Sequence, residues 1–482
     1  MLWAAPSIAR SMGTDVMAHQ LSSSVQDEHT GTSETSLAQP AIECLLQWVR
    51  EATGDAVVDW HQISGGNRCQ SFTVLTRDGA GSTRRYYLRY QLPRSASVER
   101  YTVLREAAIY RLLERNDVPA ARLIAVNPDL SAVLLDHIDG IAEYRRLSDK
   151  IERETIAMEF TDALARLHAR PLDLEDLPEA AERPTMADAA RAEVAEWKAM
   201  YEETGIGDPL IDLSLQWLQA NVPADADAPV LVHGDAGPGN FLFKDGHLSG
   251  LIDWEFAHPG DWHDDLAWFS MRCVMEPVPD FAACLRRYEA SAAATIDLAR
   301  LRFYQILVST RVLIIRHRNV SGEPGNSIVS KALNRRLLIA ALAAANNVAM
   351  PTVSPPKAMS TEHTELYDFV IASLRDDISM RSDDKQIVAS AKNLAKVAKY
   401  LSQVDRYSTA FDNRELAMLT RTLGERPATK QEGYFSISRG VQKGEIELEI
   451  ALQIFSECVQ YDTILAAPAS GRIAQRSWPQ LI

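Results

Sequence analysis

Residues 231–240 read LVHGDAGPGN, and residues 251–255 read LIDWE. Asp235 sits on a segment that cannot be helical. Gly234, Gly237 and Gly239 permit sharp turns and Pro238 excludes helix. Asn240 follows five positions after Asp235. An acid and an amide at this spacing, with a second acid at Asp253, offer hard oxygen ligands for magnesium beside a free carboxylate. Phosphoryl transfer needs that layout: the metal bridges phosphate oxygens while the free carboxylate orients and deprotonates an attacking hydroxyl. Any one of these residues alone reads equally well as a turn or loop stabiliser.

The elements around them must bring the three groups together. PVLV (229–232) is a short β-branched run, expected as a buried strand that ends at His233-Gly234-Asp235. After Asn240, FLF and LSGLID flank KDGH, whose Asp245-Gly246 signals a hairpin. Folding back at that turn returns Asp253 toward Asn240.

HGDAGPGN followed by LIDWE resembles the signature of the aminoglycoside phosphotransferase and choline kinase group of kinase-like enzymes. The resemblance covers roughly residues 45–345. It implies an α+β fold, two-lobed and protein-kinase-like: an N-lobe over 41–140 with an antiparallel sheet plus a helix, and a mostly helical C-lobe over 141–349. It also implies Asp235 as catalytic base, Asn240 and Asp253 as magnesium ligands, and ATP with Mg2+ as cofactors. Such a fold needs a strand-borne cation held by a helix-borne acid to grip the ATP phosphates. YYLRY supplies Arg89 where the usual motif has Lys, and VLREAAIY supplies Glu106. Leu-Arg at this place resembles the branch of kinase domains fused to some acyl-CoA dehydrogenases. Arg84 or Arg85 is the alternative cation.

Other parts of the pattern follow. SFTVLTRDG and RRYYLRYQL read as strands around Asp78-Gly79. SGGNRCQS (64–71) lies among these strand signals, and Gly65, Gly66 and Asn67 are the expected phosphate-covering turn. LLDHIDG (134–140) resembles the connector between lobes, with Asp136 and Ile138 beside the adenine. HPGDWHDDLAW holds Asp261 and Asp265. The family carries a structural acid here that bonds the catalytic loop, so His233 and Asp265 are placed as structural neighbours of the site, and His168 as a packed helix residue. In SVERYTVLREAAIYRLLERN, a stripe of Tyr101, Leu104, Ala108 and Leu112 predicts a helix.

Composition sets the bounds. The chain has 482 residues, 46% hydrophobic and 24% charged, with a formal net charge of −15, which argues against nucleic acid as a partner. Its five cysteines form no C-x-x-C pair, so neither a disulfide framework nor a zinc site is expected. Residues 1–40 are rich in Ser, Thr, Asp and Glu and predict a disordered tail without a secretory signal. The apolar runs are too short or too interrupted to span a bilayer, so the expectation is a soluble cytoplasmic protein without a membrane partner. G-x-x-x-x-G-K-[ST], G-x-S-x-G and H-E-x-x-H are absent from the sequence, which leaves rival nucleotide enzymes and hydrolases unsupported.

The Pro-rich stretch 350–360 reads as a linker, and 361–482 as a separate helical accessory domain. Ile387, Ala391, Leu394, Ala398 and Leu401 form its expected core stripe. This half resembles a small helical family found beside kinases of the same branch, which implies a hydroxyacyl-CoA acceptor. Two other functions stay open: kinase of an aminoglycoside or another small alcohol, and a non-catalytic kinase-like nucleotide-binding protein. The helical half also reads as a dimerisation or stability module, with a homodimer as the partner it would bring.

Overall fold

The computed structural model describes residues 39–63, 69–92, 102–116, 118–169, 177, 181–318, 324–357 and 360–481. Helix α1 (Gln39–Thr53) leads into strands β1 (Ala56–Ile63), β2 (Cys69–Arg77) and β3 (Thr83–Gln91). Helix α2 (Val103–Arg115) and strands β4 (Leu123–Asn127) and β5 (Ala132–Asp136) complete the first lobe. The sheet is antiparallel in the order β1-β2-β3-β5-β4. Side chains alternate across it. Leu88 joins Phe72, Val74, Leu134 and the α1 residues Leu45 and Val49 in one buried cluster. Arg89 is therefore on the opposite face, where Val103 and Ala107 of α2 pack with Cys69 and Val133. Strands β1 and β4 are the two edges of this sheet among the described residues, and the register of β1 slips between Val57 and Asp59.

Helix α2 starts where the Thr102 hydroxyl accepts the Arg105 amide, an N-cap. Of the stripe the sequence suggests, Leu112 is buried and Ala108 partly buried, Leu104 is not, and Tyr101 lies outside the described residues. Leu104 is 37% exposed, while Val103, Glu106, Ala107, Tyr110 and Leu113 are buried. The helix is rotated because a charged residue, Glu106, is on its inner side. Simple apolar periodicity cannot anticipate that.

The second lobe contains α3 (Lys150–His168), α4 (Met186–Glu202), α5 (Pro209–Ala220) and the short strands β6 (Val230–Val232), β7 (Phe241–Lys244), β8 (His247–Leu251) and β9 (His258–Gly260). Helices α6 (His263–Met275), α7 (Phe281–Ala292), α8 (Leu298–Arg318) and α9 (Pro324–Ala345) follow. Strand β6 pairs with β9, and β7 with β8 as the expected hairpin. A buried ionic network ties the helices together. Arg311 meets Asp264 and Glu193, both at 2.8 Å, and Arg183 meets Glu193 at 2.9 Å.

The last helices are α10 (Thr364–Ser373), α11 (Lys385–Leu423), α12 (Lys430–Gln442) and α13 (Leu448–Ser470). Helix α11 absorbs the segment NRELAMLTRTLG and stops at Gly424, at φ 78°. The intervening Pro-rich stretch is tied down: the Val353 amide donates to Gln460 of α13 at 2.9 Å. Leu419, Ile437, Leu452 and Phe455 share one continuous core with Leu333, Leu337 and Leu342 of α9. The expected α11 stripe is split. Ala391 and Ala398 are buried, whereas Ile387, Leu394 and Leu401 are 43–55% exposed. No helix among the described residues is long and apolar enough to cross a membrane.

The shared core makes a prediction. Phe455→Ala should destabilise the whole chain by about 3–5 kcal/mol through its cavity, seen as a shift of a single urea transition. Deleting residues 358–482 should leave an aggregating protein, checked by size-exclusion chromatography. A soluble, monodisperse truncation would show that the two helical layers fold independently.

Candidate active site

The loop after β6 hangs from one carboxylate. Asp265 of α6 accepts the His233 amide at 2.7 Å and the Gly234 amide at 2.9 Å, one on each oxygen. His168 Nε2 approaches the same carboxylate at 3.0 Å, and its Nδ1 meets the Tyr288 hydroxyl at 2.8 Å. Burial would raise the Asp265 pKa, but the bond and charge of His168, with His233, hold it below the usual carboxylate range. Gly234 has φ 77°, and a Cβ there would lie 2.2 Å from the Phe256 carbonyl oxygen. No other residue fits this turn. His233 Nε2 donates to the Ile252 carbonyl at 2.9 Å, and the imidazole packs against Trp254 with centroids 4.5 Å apart. The two motifs of the sequence are thus pinned to each other.

Asp235 is 1% exposed. Asn240 Nδ2 donates to both its carbonyl oxygen and its Oδ2, each at 2.8 Å. Arg272, one helical stretch beyond Asp265 on α6, clamps the same carboxylate. Its Nε donates to Oδ1 at 2.9 Å and its Nη2 to Oδ2. Burial pushes the Asp235 carboxyl above its ordinary pKa, while Arg272 pulls it down and the charge of Asp253 pushes it up again. Arg272 was not legible in the sequence. The signal was only that Gly237 must let a helix approach: a Cβ at Gly237 would lie 2.6 Å from Arg272 Cβ.

The hairpin brings Asp253 back as expected. The Ile252 amide donates to the Asn240 carbonyl at 3.0 Å. Asp253 adopts a left-handed backbone, φ 68°, unusual for a residue with a side chain. Asn240 Oδ1 is buried and has no hydrogen-bond partner among the described residues. An orphaned amide oxygen beside a carboxylate suits a magnesium ion, which takes one or two protein oxygens and fills its shell with waters and phosphates. Among the described residues no group of three or more His, Cys, Asp or Glu forms a metal cage.

Arg89 is buried and directed inward. It lies 3.3 Å from Glu106, 2.9 Å from Glu255 and 3.6 Å from Asp253. Burial would lower its pKa, but Glu106, followed by Cys69, Glu255 and Tyr87, raises it well above the usual value. Glu255 is a second residue the sequence reading missed, although it stands in LIDWE itself. Arg84 and Arg85 are exposed, and Arg85 pairs with Asp139 across 3.7 Å. Asp136 ends β5, its amide donating to the Arg122 carbonyl at 2.9 Å. Ile138 Cδ1 would stand 2.7 Å from a Cβ at Gly250, so the connector packs directly on the hairpin. Gly65, Gly66 and Asn67 lie outside the described residues.

Residues 59–304, just over half of the chain, match the family described as "Phosphotransferase enzyme family". The chain belongs to that family. Relatives of this phosphotransferase include acyl-CoA dehydrogenase family member 11 of Homo sapiens, 26% identical over 201 residues, and that of Pongo abelii, 25% identical over 201 residues. Each match covers 39% of this chain and 25% of the relative, so the chain spans about a quarter of their length. Solved structures that resemble it include a protein of Ralstonia eutropha assigned as an aminoglycoside phosphotransferase, with TM-score 0.49 and 18% identity over 64% of this chain and 98% of that one. A macrolide 2'-phosphotransferase type I gives TM-score 0.45 and 20% identity over 62% and 98%.

Two substitutions test the scaffold. Arg272→Met should cost about 3–5 kcal/mol, because it leaves the Asp235 carboxylate buried without its partner. Chemical denaturation reads this directly. Asp265→Asn should lower the melting temperature at neutral pH. Because the folded pKa of Asp265 is depressed, its stabilisation is present above the unfolded value near 3.8 and is lost as pH falls through the folded one. The wild-type and Asp265→Asn melting temperatures should therefore converge in acid.

Proposed function

We propose that this phosphotransferase moves the γ-phosphate of ATP to a hydroxyl of a small molecule, and that the acceptor is a hydroxyacyl-CoA thioester. The observation that carries the reaction is the meeting of Asp235, Asn240 and Asp253 on a rigid loop and hairpin. Asn240 Oδ1 and the Asp253 carboxylate would hold magnesium, whose positive charge would offset that of the phosphates.

The chain's own residues have separable tasks. Arg272 and Asn240 fix the orientation of the Asp235 carboxylate. Oδ2 accepts from both of them, so the less engaged Oδ1 is the atom assigned to take the acceptor's proton. Burial keeps that carboxylate more basic than an exposed aspartate, which suits a general base. Arg89, oriented by Glu106, supplies a fixed positive charge for phosphate oxygens, with the guanidinium fork in place of an ammonium. Glu255 holds the other side of that fork and limits its swing.

The acceptor assignment draws support from two sources. The chain is similar to acyl-CoA dehydrogenase family members over part of their length. Leu88-Arg89 on the third strand is the branch feature that accompanies them. Phosphorylating a hydroxyl converts a poor leaving group into a good one, which is useful chemistry on an acyl chain.

Asp235→Asn should retain Mg-nucleotide binding by calorimetry while turnover falls by about 10²–10⁴-fold. Arg89→Ala should raise the Michaelis constant for ATP, with Arg89→Lys partly active. A coupled ADP-release screen should rank hydroxyacyl-CoAs above free hydroxy acids, aminoglycosides and choline-like alcohols. Preference for an aminoglycoside would overturn the acceptor and leave the reaction standing. Full turnover of Asp235→Asn would remove the assignment of the base.

A further inference from the structure

Where the second lobe meets the last helices, a cavity of about 600 Å³ opens, the solvent at its mouth included. Its apolar walls come from α6 through Met271, Val274 and Met275, and from α9 through Leu333 and Leu337. Ser470 and Ile473 close it from the C-terminal side. The cavity lies across α6 from the catalytic loop, since Arg272 of the same helix reaches Asp235 instead.

Two cations, Arg316 and Lys396, line this space. Arg316 is on α8, and its Nε and Nη2 atoms are buried with no hydrogen-bond partner among the described residues. Other buried arginines in this acidic protein behave differently. Arg89, Arg183, Arg272, Arg311 and Arg335 each meet at least one carboxylate. At Arg316 burial alone acts, and it lowers the pKa to about 10, so the group still carries its charge at neutral pH. An unpaired buried charge is costly.

The two orphaned atoms define the missing ligand. Nε–H and the adjacent Nη2–H form the side edge of a guanidinium, which matches the two oxygens of a carboxylate. The same chain shows the pairing elsewhere: Arg272 offers this edge to Asp235, Arg287 offers it to Asp162 at 2.8 and 2.7 Å, and Arg375 offers it to Asp376 at 2.6 and 2.8 Å. Lys396, which also lines the cavity, donates its Nζ to the neighbouring lining residue Asn326.

We propose that this seam cavity binds a small apolar carboxylate, with the acid group paired to the Nε–Nη2 edge of Arg316 and the alkyl body against Met271, Val274, Met275, Leu333 and Leu337. The site is separate from Asp235 and does not depend on which acceptor is phosphorylated. Its ligand touches helices from both sides of the seam, so binding should raise the melting temperature of the whole chain.

The test uses the full-length protein with hexanoate, 1-hexanol and inorganic phosphate as probes, each titrated by calorimetry and thermal shift. Hexanoate should bind and raise the melting temperature in proportion to its concentration, and the other two should not. Arg316→Met should lose this response and, by removing an unpaired buried charge, melt higher than wild type without ligand. Arg316→Lys keeps the charge without the fork and should bind hexanoate about tenfold more weakly, a difference of about 1.4 kcal/mol. Equal binding of hexanol would show an apolar pocket only, and equal binding of phosphate a general anion site. Either result, or undiminished hexanoate binding to Arg316→Met or Arg316→Lys, overturns the proposal.

Discussion

A single carboxylate, that of Asp265, holds the loop after β6 in shape. Asp265 receives two consecutive backbone amides, His233 and Gly234, and a histidine from a third element. Loop amides buried away from water must find acceptors. Here one side chain satisfies both, so the loop has one conformation. Everything downstream inherits that precision: the direction of Asp235, the contact of His233 with the Ile252 carbonyl, and through it the place of Asp253. The depressed pKa of Asp265 is the electrostatic record of the same bonds.

Around this loop the charges are unbalanced by design of the fold. Four carboxylates, Asp235, Asp253, Glu106 and Glu255, face two guanidinium groups, Arg89 and Arg272. The surplus is two negative charges in a poorly solvated region. The arginines differ in task. Arg272 spends its fork on Asp235, whereas Arg89 is shared among three acids and keeps no single partner. A bidentate pair fixes the direction of one carboxylate, while a guanidinium held from several sides by different acids is itself fixed in place.

Much of this was legible from local sequence. Asp235, Asn240 and Asp253 lie within nineteen positions, and glycines, proline and an Asp-Gly turn determine how the backbone must fold between them. Arg89 and Glu106 were legible only with a family pattern in hand, because strand and helix signals place them without saying that they meet. Arg272 and Glu255 were not found. Each acts through a long-range contact, and neither stands at a spacing that distinguishes it from a surface charge. Periodicity failed where polar groups are on buried faces, as at Glu106, and where apolar ones remain exposed, as at Leu394. The extent to which the last helices share the preceding core was likewise invisible, since a Pro-rich segment reads as a spacer whether or not it is pinned down.

Strand β1 has a different consequence. It is one edge of the sheet, and Val58, Trp60 and Ile63 are each 39–42% exposed. A long apolar edge invites another chain to add a strand, the first step of fibril growth. The slipped register at Val57/Asp59 bends this edge, and the Trp60 amide is already given to the Asp59 carboxylate at 2.9 Å. A foreign strand arriving there would meet a kink, a negative charge and an amide already engaged. The irregularity thus works as a guard on colloidal behaviour, keeping concentrated protein from templating its own aggregation.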